Sequence, residues 1–184
     1  VETSVPPRFS GGVDVSALRY RVWWRGYLAN RTALLSELGQ HGARSQTDEE
    51  LIAATYQRWG TALQAHLVGE YALAIFDRET NSLVLTHDAL GVVPLYYSAR
   101  GHTVYFGTHL SMLAERARLA DLDDGYLAEF LSRGEYLGEH TIYRGVRRLG
   151  VGRTIHYREH RATQLQTWRL GDIPELVYRD PADY

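Results

Sequence analysis

His156 and His160 stand four residues apart, a spacing that on one helix face would let two imidazoles share a metal ion. The segments around them, Arg153 to Tyr157 and Thr163 to Trp168, read as a β-hairpin, and the spacing places no third ligand. The eight histidines are therefore read as ordinary surface residues. Ser10-Gly11-Gly12-Val13-Asp14-Val15-Ser16 looks superficially like the SGGxDS loop that grips a pyrophosphate. Val15 is inserted before Ser16, no buried strand precedes the run and no strong helix follows it. The strand–turn–helix context that aims N–H groups at phosphate is missing, so the match is coincidental. The 184 residues contain no Cys, and all 20 basic residues are Arg. That removes disulfides, thiolate ligands and a thiol nucleophile, together with Schiff-base and P-loop lysine chemistry.

The elements that must hold any site follow from length and pattern. One domain of this size buries roughly 70% of its unfolded surface and needs no covalent staples. Hydrophobic residues at 45% and charged residues at 23% are ordinary globular usage and exclude general disorder. A net charge of −2 argues against nucleic-acid binding by bulk electrostatics. The apolar runs are too short for a membrane span, and the first residues lack a signal-peptide layout, so the expected location is cytoplasmic.

Arg19 to Trp24 is expected to be a strand, with its two indoles on opposite faces, one in the core and one toward a partner. Asn30 is expected to cap a short helix carrying Leu34, Leu35 and Leu38, closed by Gly39. Thr47 and Glu50 form a capping box for a second helix that ends at Gly60. Glu70 to Asp77 (EYALAIFD) is a nearly continuous apolar run, as in a strand buried on both faces, and it forms a hairpin with Leu83 to Thr86. Asp88, Gly91 and Pro94 punctuate a tight structural loop. A hairpin of Leu95 to Ser98 with Thr103 to Gly107 follows, then helices from Leu110 to Arg118 and Asp123 to Leu131, then the last hairpin. The abundant aromatic residues lie among Val, Leu and Ile and read as sheet core. Paired strands and paired helices give an α+β class of antiparallel sheets layered with helices.

Several of these stretches resemble the glutaminase-type domain of the asparagine synthetase family. They are Gly69 to Asp77, then Asp88-Ala-Leu-Gly91-Val-Val-Pro94-Leu-Tyr-Tyr97, then Val104 to Gly107, then Thr141-Ile-Tyr-Arg-Gly-Val-Arg-Arg-Leu149. Thr47 to Gly60 and Gly26 to Asn30 join them, in the family's order, from about residue 23 to about residue 169. The resemblance implies an Ntn-hydrolase-like αββα fold, here shortened at the N-terminus. It also implies an N-terminal Cys that strips ammonia from glutamine, and a separate ATP-pyrophosphatase domain that uses the ammonia. This sequence departs from the pattern where the chemistry sits. It starts at Val1, it has no RGPD-like loop, and only about 22 residues precede the first matched strand. Arg25 stands at the family's oxyanion Asn, where it would block the hole or bind a carboxylate, and Tyr27 stands at the Glu. Of the glutamine-binding set only Gly26 and Asp48 remain, and Asp48 is read first as a helix N-terminal carboxylate. Thr3 or Ser4 could replace the thiol only as an exposed first residue.

These departures imply a degenerate, non-catalytic glutaminase-like domain, with Arg25, Gly26 and Asp48 as vestigial positions. It would support an asparagine-synthetase-type, ATP-dependent amide-forming enzyme, of the kind found in lasso-peptide macrocyclases and β-lactam synthetases. The alternatives are a stand-alone module that binds a peptide or protein in trans, and an amidohydrolase with a rebuilt site. Residues 1–18 are expected to be loosely held, 19–170 to form the domain, and 171–184 to be a linker toward a synthetase domain. No cofactor or metal is expected in these residues, and ATP and Mg are expected for the synthetase domain. That domain, in cis or trans, is the expected partner, and a peptide substrate is a further candidate. No nucleic acid and no membrane are expected.

Overall fold

The structure, a computed structural model, describes residues 12–15, 19–39, 47–101, 103–134, 138–159, 161–169 and 171. Among them the strands are β1 (Val13–Val15), β2 (Tyr20–Leu28), β3 (Gly69–Asp77), β4 (Ser82–His87), β5 (Tyr96–Arg100), β6 (Thr103–Gly107), β7 (Arg147–Arg148), β8 (Arg153–Arg158) and β9 (Arg161–Gln166). The α-helices are α1 (Arg31–Glu37), α2 (Asp48–Trp59), α3 (Leu110–Arg116) and α4 (Asp124–Arg133). One six-stranded sheet has the order β1-β2-β3-β4-β8-β9, and a three-stranded sheet has the order β6-β5-β7. Every strand pair is antiparallel.

Alternation along β3 sets the layers. Tyr71, Leu73 and Ile75 point one way and join Tyr20 and Val22 of β2, Leu34 of α1 and Leu51 and Ile52 of α2 in one core. Ala72, Ala74 and Phe76 point the other way and meet Leu95 and Tyr97 in a second core between the sheets. Leu113 and Ala114 of α3 close a third cluster on the outer face of the small sheet, with Tyr96 and Tyr105 packed against it. The result is the αββα stack that the sequence pattern and the resemblance implied. Trp24 packs on the helix-side core and Trp23 on the inter-sheet core, and each is only half-buried.

Helix α2 starts where the sequence placed it. Thr47 Oγ1 accepts from Glu50 N at 3.2 Å, and Glu50 Oε2 accepts from Thr47 N at 2.9 Å. Gly60 ends the helix with φ +58 and opens a 3-10 helix, Gly60–Ala65, that no sequence signal announced. Asn30 is the N-cap residue of α1, where its C=O accepts from Leu34 N at 2.9 Å, but its side chain makes no capping bond. Its side chain instead donates to His66 O at 2.8 Å and accepts from Val68 N at 3.0 Å, tying α1 to the entry of β3. Asp123 caps α4 by accepting from Tyr126 N at 3.0 Å.

The expectation of a loose segment over residues 1–18 is corrected at Val13–Val15. These residues pair with Val22, Arg21 and Tyr20, and Val15 is buried. Asp14 holds the edge through Arg21 at 3.2 Å and Arg78 at 2.6 Å. Three residues are too few to show alternation, which hid this strand. The strand also ends any reading of the Ser10 to Ser16 run as a phosphate loop. The remaining residues of 1–18, and the linker expected at 171–184 except Gly171, lie outside the described residues.

Asp77 closes β3 and is buried. Burial alone pushes its carboxyl up. Hydrogen bonds from Arg19 Nε and Nη2, at 3.3 and 3.0 Å, and from Glu79 N, at 2.9 Å, more than offset this and hold it below the ordinary carboxylate range. A carboxyl depressed in the folded state stabilises the fold above its unfolded pKa, and that contribution is lost as pH falls through the folded value. The urea midpoint should therefore drop as pH falls below about 4. Asp77→Asn should lower the midpoint at neutral pH and flatten the acid limb. A mutant limb as steep as wild type would assign the acid sensitivity to other groups.

Candidate functional site

Strand β2 does not stop at Trp24, as its composition suggested, but runs to Leu28 in unbroken register with β3. Arg25 and Gly26, the positions singled out by the resemblance, are therefore strand residues, opposite Ala72 and Tyr71. Gly26 has φ +140, and a Cβ there would lie 2.0 Å from Glu70 O and 2.7 Å from Tyr71 Cα. The approach of β3 alone demands glycine at this place.

Arg25 is exposed, and its side chain lies on the Trp23 side of β2, toward the small sheet. It lines a cleft of about 580 Å³ whose walls include Trp23, Trp24, Leu95, Phe106 and Arg116. Trp23 and Phe106 meet edge to face across it, ring centroids 5.3 Å apart. A guanidinium donates hydrogen bonds and accepts none, so Arg25 is fitted to hold a carboxylate, not to take a proton.

Asp48 is not in this cleft. It starts α2, which packs on the other face of β2, and its Oδ1 accepts from Arg31 Nη1 of α1. An internal cation therefore holds the carboxylate that the resemblance would reserve for a substrate amine. No sequence signal marked Arg31 or Arg116, because their roles come from tertiary placement alone.

The loop after β4 is built on Asp88. Its carboxylate accepts from the backbone N–H groups of Tyr71 (3.3 Å), Leu90 (3.1 Å), Val92 (3.0 Å) and Val93 (3.2 Å). Gly91 is buried with φ +65, and a Cβ would sit 3.1 Å from the ring of His87. Pro94 is half-buried at the entry to β5. His87 itself lies between two carbonyls, with Nδ1 2.6 Å from Asp88 O and Nε2 3.2 Å from Leu149 O. Beside it, Gln64 donates to His87 O at 2.5 Å and accepts from Thr167, and Thr154 links to Thr86 at 2.8 Å. These contacts connect residues far apart in sequence. Composition showed the loop, and only the fold shows the network.

His156 lies on β8 opposite Val84, and burial lowers its pKa, with Arg158 adding to the effect. His160 lies outside the described residues. Among the described residues no three His, Asp or Glu side chains converge as metal ligands, and no helix is long and apolar enough to cross a membrane.

A glutamine amidotransferase domain profile matches residues 15–169. The chain belongs to the glutamine amidotransferase domain family. Within it, the chain is of the asparagine-synthetase kind. It is 27% identical over 168 residues to the glutamine-hydrolysing asparagine synthetase 3 of Bacillus subtilis, which covers 89% of this chain and 27% of that protein. It is 30% identical over 95 residues to the glutamine-hydrolysing asparagine synthetase B of Escherichia coli, covering 50% of this chain and 17% of that one. The chain thus spans about a quarter or less of the length of these relatives. In fold it is similar to the glutamine phosphoribosylpyrophosphate amidotransferase of B. subtilis, with a TM-score of 0.57, 18% identity, and coverage of 81% of this chain and 29% of that one. The amidotransferase-domain fold is therefore present here without a cysteine in its 184 residues.

The Asp88 loop gives a direct check on the structural reading of its residues. Asp88→Ala should strand four N–H groups and cost about 3 kcal/mol in urea unfolding. Gly91→Val should lower the melting temperature, because positive φ costs about 1–2 kcal/mol for a residue with a Cβ and His87 leaves no room for more. A Gly91→Val protein that melts like wild type but loses a binding activity would instead make the loop a ligand contact.

Proposed function

We propose that this chain is a non-catalytic amidotransferase-type domain that supports an ATP-dependent, amide-forming synthetase. The observation that carries the reading is the Arg31–Asp48 pair, which occupies the one carboxylate left from the family's glutamine-binding set. The absence of Cys from these residues and the Arg at position 25 point the same way. Where an oxyanion donor is missing, acyl transfer loses about 100- to 1,000-fold before any other change is counted. The parent enzyme would be of the lasso-peptide macrocyclase or β-lactam synthetase type, in which an internal amine attacks the activated carboxylate. Ammonia from glutamine is then dispensable. ATP and Mg would be used by the synthetase domain, in cis or trans, with residues 171–184 as the linker in the first case. The cytoplasm is the proposed location.

Two measurements test the two halves. The chain incubated with glutamine should release no more ammonia than a heat-killed control, and Arg31→Ala, which frees Asp48, should not change that. Release well above the control would mean a rebuilt hydrolase. For the supporting role, the synthetase polypeptide encoded with this domain is assayed for ATP-dependent amide formation with the domain present and absent. Loss of soluble, active synthetase without the domain is expected. Full activity without it would exclude the supporting role and favour an independent interaction module.

A further inference from the structure

Strand β6 has a partner on one side only. It pairs with β5 from Gly107 opposite Tyr96 to Thr103 opposite Arg100, and it is the outer strand of its sheet. Side chains of a strand alternate between two faces, so a groove lying on one face is lined by every second residue. The cleft is instead lined by the unbroken run Thr103 to Thr108. Such a run marks the strand's edge, and the backbone groups of that edge have no backbone partner among the described residues. Across the cleft, Trp23 to Arg25 of β2 line the facing wall.

The charge on this space is one-sided. Arg25 and Arg116 are both exposed, and neither pairs with a carboxylate among the described residues, whereas Arg19, Arg21, Arg31, Arg78 and Arg153 all do. The other lining residues are largely aromatic and aliphatic, the Trp23–Phe106 pair among them.

We propose that the cleft binds an extended acidic peptide as an added strand along β6. The peptide backbone completes the ladder on the free side of β6, its inward side chains pack on Trp23 and Phe106, and its carboxylates meet Arg25 and Arg116. A second copy of the chain docked edge to edge through β6 does not satisfy the site, because β6 carries no acidic residue to meet Arg25 and Arg116. The proposal rests on edge geometry and charge, independently of any role in a ligase.

The test uses the whole chain and a fluorescein-labelled peptide of about seven residues, alternating Glu with Thr, which at about 3.3 Å per residue runs the length of β6. Anisotropy should show saturable binding, accompanied by a change in tryptophan emission. The same peptide N-methylated at alternate backbone positions should bind at least about tenfold more weakly, and a Lys-for-Glu peptide should not bind. Arg25→Glu and Arg116→Glu should each weaken the Glu peptide about tenfold, and the double variant should accept the Lys peptide. Both positions are exposed, and circular dichroism verifies that the variants fold. Equal binding of the N-methylated peptide would overturn strand addition. Absence of saturable binding, or indifference to both charge reversals, would overturn the site. A stable dimer that the peptide does not disturb, or binding seen only after removal of residues 1–11, would assign the cleft to a second copy or to the chain's own N-terminal segment, and would overturn the proposal equally.

Discussion

Strand β3 is buried on both faces, and its neighbours take their places from that fact. One set of side chains must be large enough to fill the space under α1 and α2, which Tyr71, Leu73 and Ile75 do. The alternate set must be small where the second sheet comes close, which Ala72 and Ala74 allow, with Phe76 filling the wider end. Truncating the first set would cost about 2–5 kcal/mol per residue, and enlarging the second about 1–3. No exposed strand is bound so tightly by both limits. Both ends of β3 are also fixed by buried carboxylates. Asp77 draws Arg19 and the following turn onto one end, and Asp88 holds Tyr71 N and the next loop at the other. The strand is thereby locked in register with β2, and the position of Arg25 and Gly26 follows from that register.

The same register separates charges that the resemblance would bring together. Arg25 faces the small sheet and Asp48 belongs to the helix layer on the other side. Arg31 meets Asp48 within the helix layer, so that carboxylate is compensated locally at little energetic gain, since half-exposed ion pairs contribute about 0–1 kcal/mol. Two exposed cations without a carboxylate partner among the described residues, Arg25 and Arg116, line the cleft beside the outer edge of β6.

What was legible in the sequence follows the range of the interactions. The capping box at Thr47 and Glu50, the two-faced burial of EYALAIFD and the turn chemistry of Asp88 and Gly91 are local patterns, and the structure has them where they were read. Strand β1 was not legible, because three residues show no period and its reason to exist is Val22 and Arg78, far along the chain. Asn30 sits where a cap belongs but serves His66 and Val68 instead, since those backbone groups arrive only once β3 is in place. The extension of β2 through Arg25 was hidden for the same reason. The run of β-formers stops at Trp24, and only Glu70 O, 2.0 Å from where a Gly26 Cβ would lie, shows that the glycine admits a neighbouring strand. The cleft was beyond reach entirely, because an open edge is defined by the strand that is not beside it.

This difference in range bears on how the remnant positions should be weighed. Gly26 cannot carry a side chain without displacing β3, so the fold retains glycine there whether or not any substrate binds. Asp48 sits in the first turn of α2, where a carboxylate gains about 0.3–1 kcal/mol from the helix dipole, and it has Arg31 as a partner besides. Both residues are explained by structure, and neither argues for surviving glutamine chemistry. Arg25 is the opposite case. Its side chain is exposed, it has no carboxylate partner among the described residues, and exchanging such a residue ordinarily changes stability by no more than about 0.5 kcal/mol. The fold therefore does not require an arginine at that point. Nor does it require Arg116, exposed on the last turn of α3 and lining the same cleft. Packing accounts for Gly26 and Asp48 and does not require Arg25 or Arg116, which is why the proposed peptide contact is placed on those two.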